Sequence, residues 1–116
     1  MATYKGSCHC GRIAFEVDGD IAQVVACNCS MCGRRGALHW FVPRTQLRLS
    51  TPDGASTDYL WNKKAIHWRF CPTCGCAPYA DGTDKAGNHM AAVNARCLEG
   101  VDPASLKIVA YNGRDH

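Results

Sequence analysis

Eight of the nine cysteines in this chain fall into three tight clusters: Cys8 and Cys10, then Cys27, Cys29 and Cys32, then Cys71, Cys74 and Cys76, with Cys97 alone. Thiols at C-x-C and C-x-x-C spacing either pair as disulfides or, once deprotonated, bind a borderline-soft metal ion. An odd count favours metal, and so does an N-terminus without the charged start and apolar run of an export signal, which sets the expectation of a cytoplasmic protein with reduced thiols. In CPTCG at 71–75, Cys71 and Cys74 have the spacing of a zinc knuckle, with Gly75 free to take the left-handed conformation such a turn uses. A structural zinc is tetrahedral with four ligands, so a second pair must come from elsewhere, and Cys8 and Cys10 are the candidates. Residues i and i+2 of a strand share a face, but their Cβ atoms stand roughly 6.6 Å apart. Two sulfurs on one tetrahedral ion are only about 3.8 Å apart. The side chains must therefore converge or the strand must bend, and Gly6 and Gly11 flank the pair. The expectation is a closed zinc site on Cys8, Cys10, Cys71 and Cys74.

That pairing leaves Cys27, Cys29 and Cys32 as one local set of three sulfurs. Three protein ligands with a free fourth position is the arrangement of catalytic zinc, where water or substrate completes the tetrahedron. Cys76 and Cys97 are the rivals for that position, against the plainer reading of each as a small buried hydrophobe. His39 and His67 are the other donors that could complete the site or carry protons. Alternation of Ile66, Trp68 and Phe70 puts His67 on the opposite strand face. Arg34, Arg35, Lys63 and Lys64 are candidates to bind the carboxylates of a substrate, or they are solvated surface charge. Trp61 and Trp68 either wall a pocket or pack in the core.

The elements that must position these residues are short. Ile13, Phe15 and Val17 alternate with Ala14 and Glu16 before the turn Asp18-Gly19-Asp20, which predicts a strand. Further strands are predicted at 37–42, around Leu47 and Leu49, at 66–70, at 89–98 and at 106–111. Residues 30–35 can form one helical turn and 102–105 another, since Asp followed by Pro suits a helix start. A mostly β, single-domain chain over 1–116 is the expectation. The composition, 47% apolar and 20% charged, contains no run long enough to cross a bilayer, so no membrane partner is expected. The formal charge is +3. Seven bound thiolates remove seven charges and two zinc ions restore four, so the loaded protein is neutral and its basic residues are dispersed. That argues against nucleic acid as a partner, although a zinc-ribbon interaction module with both metals structural remains the alternative to an enzyme.

Three motifs in order, GSCHCG at 6–11, CNCSMC at 27–32 and FCPTCG at 70–75, closely resemble the glutathione-dependent formaldehyde-activating enzyme family, whose domain is shared with centromere protein V; NARCLEGVD at 94–102 resembles the family's C-terminal segment. The resemblance implies a compact zinc-binding β fold, similar in outline to small Rab-exchange accessory proteins. It implies two zinc ions, one structural on Cys8, Cys10, Cys71 and Cys74 and one catalytic on Cys27, Cys29 and Cys32. It further implies a carbon-sulfur lyase that joins a thiol such as glutathione to formaldehyde or a small aldehyde. Family members often carry two basic residues directly after the triplet; here Gly33 intervenes before Arg34 and Arg35.

Overall fold

A computed structural model of the chain describes residues 2–61 and 65–115. It is mostly β, with ten strands in two sheets among the described residues. Strands β1 (Thr3–Ser7), β2 (Ala14–Asp18) and β5 (Leu47–Leu49) form a small antiparallel sheet in the order β1-β2-β5. The larger sheet takes β3 (Gln23–Cys27), β4 (His39–Pro43), β6 (Thr57–Tyr59), β7 (Ile66–Phe70), β8 (Tyr79–Thr83), β9 (His89–Asn94) and β10 (Lys107–Tyr111) in the order β10-β3-β4-β9-β8-β7-β6. Every neighbouring pair in it is antiparallel except β10 with β3. A short helix, α1 (Ser30–Arg35), follows β3. No helix among the described residues is long and apolar enough to cross a membrane.

The period of two decides which face of each strand is buried. Phe15 and Val17 of β2 are buried, as are Trp40 and Val42 of β4 and Ala91 and Val93 of β9. These residues, with Ile13, Leu47 and Tyr79, form one core between the sheets. The ring pairs Phe15–Tyr79 at 6.2 Å and Tyr4–Trp40 at 5.7 Å, both edge to face, join the small sheet to the large one. Gly6 is required here, because a Cβ on it would fall onto the Phe15 ring.

The opposite face of the large sheet is set by the register. Phe41, Ala92, Ala80, Trp68 and Tyr59 are opposed in turn across β4, β9, β8, β7 and β6, so their side chains share a face. His39 lies two residues before Phe41 and pairs with Val25, two residues before Cys27, which brings the triplet onto this same face.

The predicted elements hold in substance and shift at their ends. The strand expected at 37–42 runs His39–Pro43. The one expected to reach Leu98 stops at Asn94, whose side-chain oxygen accepts from the Arg96 amide at 3.1 Å and starts a 3-10 turn, Ala95–Cys97. Asp102 does the same for Pro103–Ser105. Four strands carried no clear signal: β1, β3, β6 and β8. β8 reads Tyr-Ala-Asp-Gly-Thr, whose central Ala, Asp and Gly are poor strand residues held by pairing on both sides. Cys8 and Cys10 do not sit on a strand: β1 ends at Ser7, and the chain turns with Gly11 at φ +83°. The backbone bends where convergence of the two thiols requires it.

Candidate metal centres

The nine cysteines are unbridged. Cys8 and Cys10 lie in the turn between β1 and β2, and Cys71 and Cys74 in the turn between β7 and β8; their sulfurs all lie within 4.8 Å of one another. Cys8 Sγ is 3.7 Å from Cys10 Sγ, which is 3.6 Å from Cys71 Sγ. These are the separations of sulfurs sharing a tetrahedral ion, about 3.8 Å, and far from a bonded pair. Backbone N–H groups point at the sulfurs: Ile13 donates to Cys8 at 3.3 Å, Thr73 and Cys74 to Cys71 at 3.3 and 3.4 Å. Gly75, at φ +82°, closes the second turn through its N–H to the Cys71 carbonyl at 2.9 Å.

The electrostatics fit a cation. The amides of Cys76 and Cys10 hold the Cys74 thiol down to about 5. At Cys10 the Arg12 amide lowers the thiol, but the neighbouring sulfur of Cys71, burial and the sulfurs of Cys8 and Cys74 outweigh it and push it up to about 11. Four thiolates so close cannot all ionise unaided; a divalent cation removes the conflict. These four residues can hold a metal ion.

The second group is built on one segment. Cys27 is the last residue of β3, Cys29 is the N-cap of α1, and Cys32 is buried one turn into the helix. The cap geometry uses sulfur where serine or aspartate is usual: Cys29 Sγ accepts from the Cys32 amide at 3.3 Å. Cys27 Sγ accepts from the Cys29 amide at 3.4 Å. Gly36, left-handed at φ +71°, ends the helix by donating to the Cys32 carbonyl at 2.9 Å. The three sulfurs lie within 4.8 Å of one another and can hold a metal ion. Burial raises the Cys32 thiol, reinforced by Cys29, whereas at Cys29 burial is overcome by the Cys32 N–H, the thiols of Cys32 and Cys27 and the Met31 N–H, which together lower it.

Neither thiol that might have closed the triplet is near it. Cys76 and Cys97 line a shallow pocket of about 260 Å³ together with Cys8, beside the four-cysteine group. Burial, followed by the nearby sulfurs of Cys76 and Cys8, pushes Cys97 up to about 11. His67 is not among the donors clustered with the triplet, and its Nδ1 is 2.7 Å from Asp58 Oδ2. His39 does reach the site. It is buried, its Nε2 is 3.4 Å from Cys32 Sγ, and its Nδ1 has no hydrogen-bond partner among the described residues. Burial lowers its pKa and keeps the ring neutral. It is not among the donors that cluster within 4.8 Å, so among the described residues the triplet has three ligands.

Of the two arginines that follow the triplet, Arg35 lines a cavity with Cys32 and Arg34 does not. Arg34 Nη1 bonds back to the Ser30 carbonyl at 2.8 Å, and the Arg35 guanidinium lies over the Phe70 ring at 5.7 Å. Both line a cleft of about 420 Å³ with Ser30, Met31, Tyr59, Trp61 and Phe70. Trp61 is thus a cleft wall. Arg35 and Met31 also line a second, narrow cavity of about 10 Å³ with Cys32, His39 and Trp68. Lys63 and Lys64 lie outside the described residues.

Sequence reasoning missed the C-terminal strap. Asn28 is clamped from three sides: its N–H donates to the Tyr111 carbonyl at 3.1 Å, its side-chain amide donates to Asn112 Oδ1 at 3.0 Å, and its side-chain oxygen accepts from the Arg114 amide at 2.9 Å. Gly113 then passes so close that a Cβ on it would overlap Cys27 Sγ and sit 3.4 Å from Cys29 Cβ. The only signal was the Asn-Gly dipeptide, which announces a turn and nothing more. Gly113→Ala should push Cys27 out of place: metal analysis of the purified variant is expected to give one ion fewer per chain, with the fold retained.

Fold and site together define a small, mostly β protein with one four-cysteine and one three-cysteine group, each able to hold a metal ion. Residues 3–111 match the family described as glutathione-dependent formaldehyde-activating enzyme, and the chain belongs to that family. A crystal structure of a Rhodobacter sphaeroides protein, a structural-genomics target, is similar with a TM-score of 0.80 at 32% identity, covering 93% of this chain and 99% of that one. Mediator of RNA polymerase II transcription subunit 14 of Pyricularia oryzae is 25% identical over 79 residues, 63% of this chain; the chain spans about 7% of that protein's length.

Proposed function

We propose that the chain is a zinc-dependent carbon-sulfur lyase that adds glutathione or a similar thiol to formaldehyde or a small aldehyde, giving the S-hydroxymethyl adduct or its homologue. The observation that carries this reading is the triplet: three clustered sulfurs without a fourth ligand among the described residues, beside a cleft lined by two arginines. The four-cysteine group is then the structural zinc, and its closed donor set suits that metal. A zinc ion on Cys27, Cys29 and Cys32 would supply charge stabilisation for an incoming thiol in its thiolate form.

The chain's own residues do the rest. Arg34 and Arg35 offer forked donors to the two carboxylates of glutathione, and Phe70 holds the Arg35 guanidinium over the cleft. Tyr59 and Trp61 wall that cleft and narrow the orientations open to a bound tripeptide. His39, neutral, directs Nε2 at Cys32 and fixes that sulfur from the buried side. In the addition the thiol loses its proton, a sulfur lone pair forms the C–S bond, the C=O π pair moves onto oxygen, and oxygen takes up a proton. No electrons are exchanged with a cofactor.

The direct test follows adduct formation with the protein, without it, and with Cys29→Ser, since thiols add to formaldehyde unaided. Equal rates in all three would sink the proposal. Arg35→Ala is expected to raise KM for glutathione about tenfold, the loss of one charge-assisted contact, while leaving KM for formaldehyde in place. A thiol without carboxylates, such as 2-mercaptoethanol, should be indifferent to the change.

A further inference from the structure

The narrow cavity at Cys32 and His39 borders two larger ones through shared lining residues. On one side it shares Met31 and Arg35 with the arginine cleft. On the other it shares Trp68, Ala80 and Ala92 with a groove of about 320 Å³ on the uncovered face of the large sheet. The groove is walled by Phe41, Ile66 and Met90, and its floor is Ala80, Gly82 and Ala92. Phe41 and Ile66 are 55% and 43% exposed, a large apolar exposure for side chains on a sheet face. Small floor residues beneath large walls make a trough. Gly82 lets the chain entering β7 pass close by, since a Cβ there would meet the Ala65 carbonyl oxygen at 2.9 Å.

Charge divides the two arms. The cleft has Arg34 and Arg35; among the described residues the groove is lined by no lysine or arginine, and its charged lining residues are Asp81 and Asp84. A tripeptide with two carboxylates and a net negative charge is drawn to the first and repelled from the second. Formaldehyde, with two heavy atoms, uses none of a groove of this size, which falls in the range of small-molecule sites. On the lyase reading above, we propose that the groove is the tail subsite of the second substrate: a neutral, apolar aldehyde of about the size of hexanal, its carbonyl at the Cys32 end and its chain along Trp68, Phe41 and Ile66. The thiol and the aldehyde then approach the triplet from opposite sides, and the adduct forms by the same balanced addition, with the proton of the thiol ending on the former carbonyl oxygen.

Binding of unreactive alcohols isolates the tail. In ligand-observed NMR titrations of the metal-loaded protein, each methylene from ethanol to 1-hexanol is expected to tighten binding about two- to fourfold, so that hexanol binds at least about tenfold more tightly than ethanol. Phe41→Ser and Ile66→Ser, both at exposed positions that tolerate substitution, should each weaken hexanol at least about fivefold. In turnover, kcat/KM should rise from propanal to hexanal, aldehydes of similar intrinsic reactivity, and the same substitutions should flatten that rise. Equal affinities for ethanol and hexanol would overturn the proposal. So would a chain-length effect untouched by both substitutions, or a dimer in sedimentation that buries Phe41 and Ile66 and excludes hexanol. The formaldehyde arm stands apart: no acceleration there, with hexanol still bound in the groove, defeats the lyase reading and leaves the subsite for an apolar ligand in place.

Discussion

Cys71→Ser is expected to leave the chain largely unfolded at 25 °C. The four-cysteine group ties the turn after β1 to the turn after β7, sulfurs 61 residues apart in sequence, and Cys71 is its most deeply placed member, fully buried and accepting two backbone N–H groups. Structural zinc in small domains contributes roughly 10–16 kcal/mol of apparent binding free energy at neutral pH. A domain of this size is stable by about 5–15 kcal/mol in all. Losing most of the first therefore exceeds the second. Cys10, exposed at the rim of the same group, should be milder, since solvent can supply an oxygen ligand where its sulfur was. Far-UV circular dichroism beside metal analysis checks both. A Cys71→Ser protein with a native spectrum and a full complement of metal would show that the group does not hold the fold.

Cys29→Ser is the converse case and should separate chemistry from folding. Serine is among the best N-cap residues, so its oxygen can accept the Cys32 amide that Cys29 Sγ accepts now, and α1 keeps its start. What is lost is a thiolate ligand. The variant is expected to fold, to retain one ion of two, and to return adduct formation to the rate without enzyme, at least a hundredfold loss of acceleration. Retention of acceleration with one ion bound would move the chemistry away from the triplet. Unlike the first variant, this one leaves the core between the two sheets untouched.

The sites were far more legible than the frame around them. Cysteine spacing is a local, chemically loud signal, and the partition into Cys8, Cys10, Cys71 and Cys74 against Cys27, Cys29 and Cys32 matches the two sulfur clusters of the structure. β2 and β7 were readable because one face is apolar and the other polar. β3 has half-buried residues in succession, and β8 contains Asp81 and Gly82, so neither shows a period of two. The placement of Cys76 and Cys97 depended on where β1 and the 3-10 turn at Ala95–Cys97 meet, through the Gly6–Leu98 bridge, which spacing alone does not reveal. Gly113 was invisible for a similar reason: its demand comes from Cys27, a residue 86 positions earlier, through a strap that only the parallel pairing of β10 with β3 brings into place.

The central claim is that the triplet keeps a position for an exogenous sulfur. Cobalt(II) in place of zinc makes it visible, because thiolate-to-cobalt absorption and the ligand-field bands respond to a change in donor. On adding glutathione to the doubly substituted protein, the bands belonging to one ion of two should shift and saturate, and the shift should be absent from Cys29→Ser. A spectrum indifferent to thiol in the unaltered protein would contradict the account and make both centres structural.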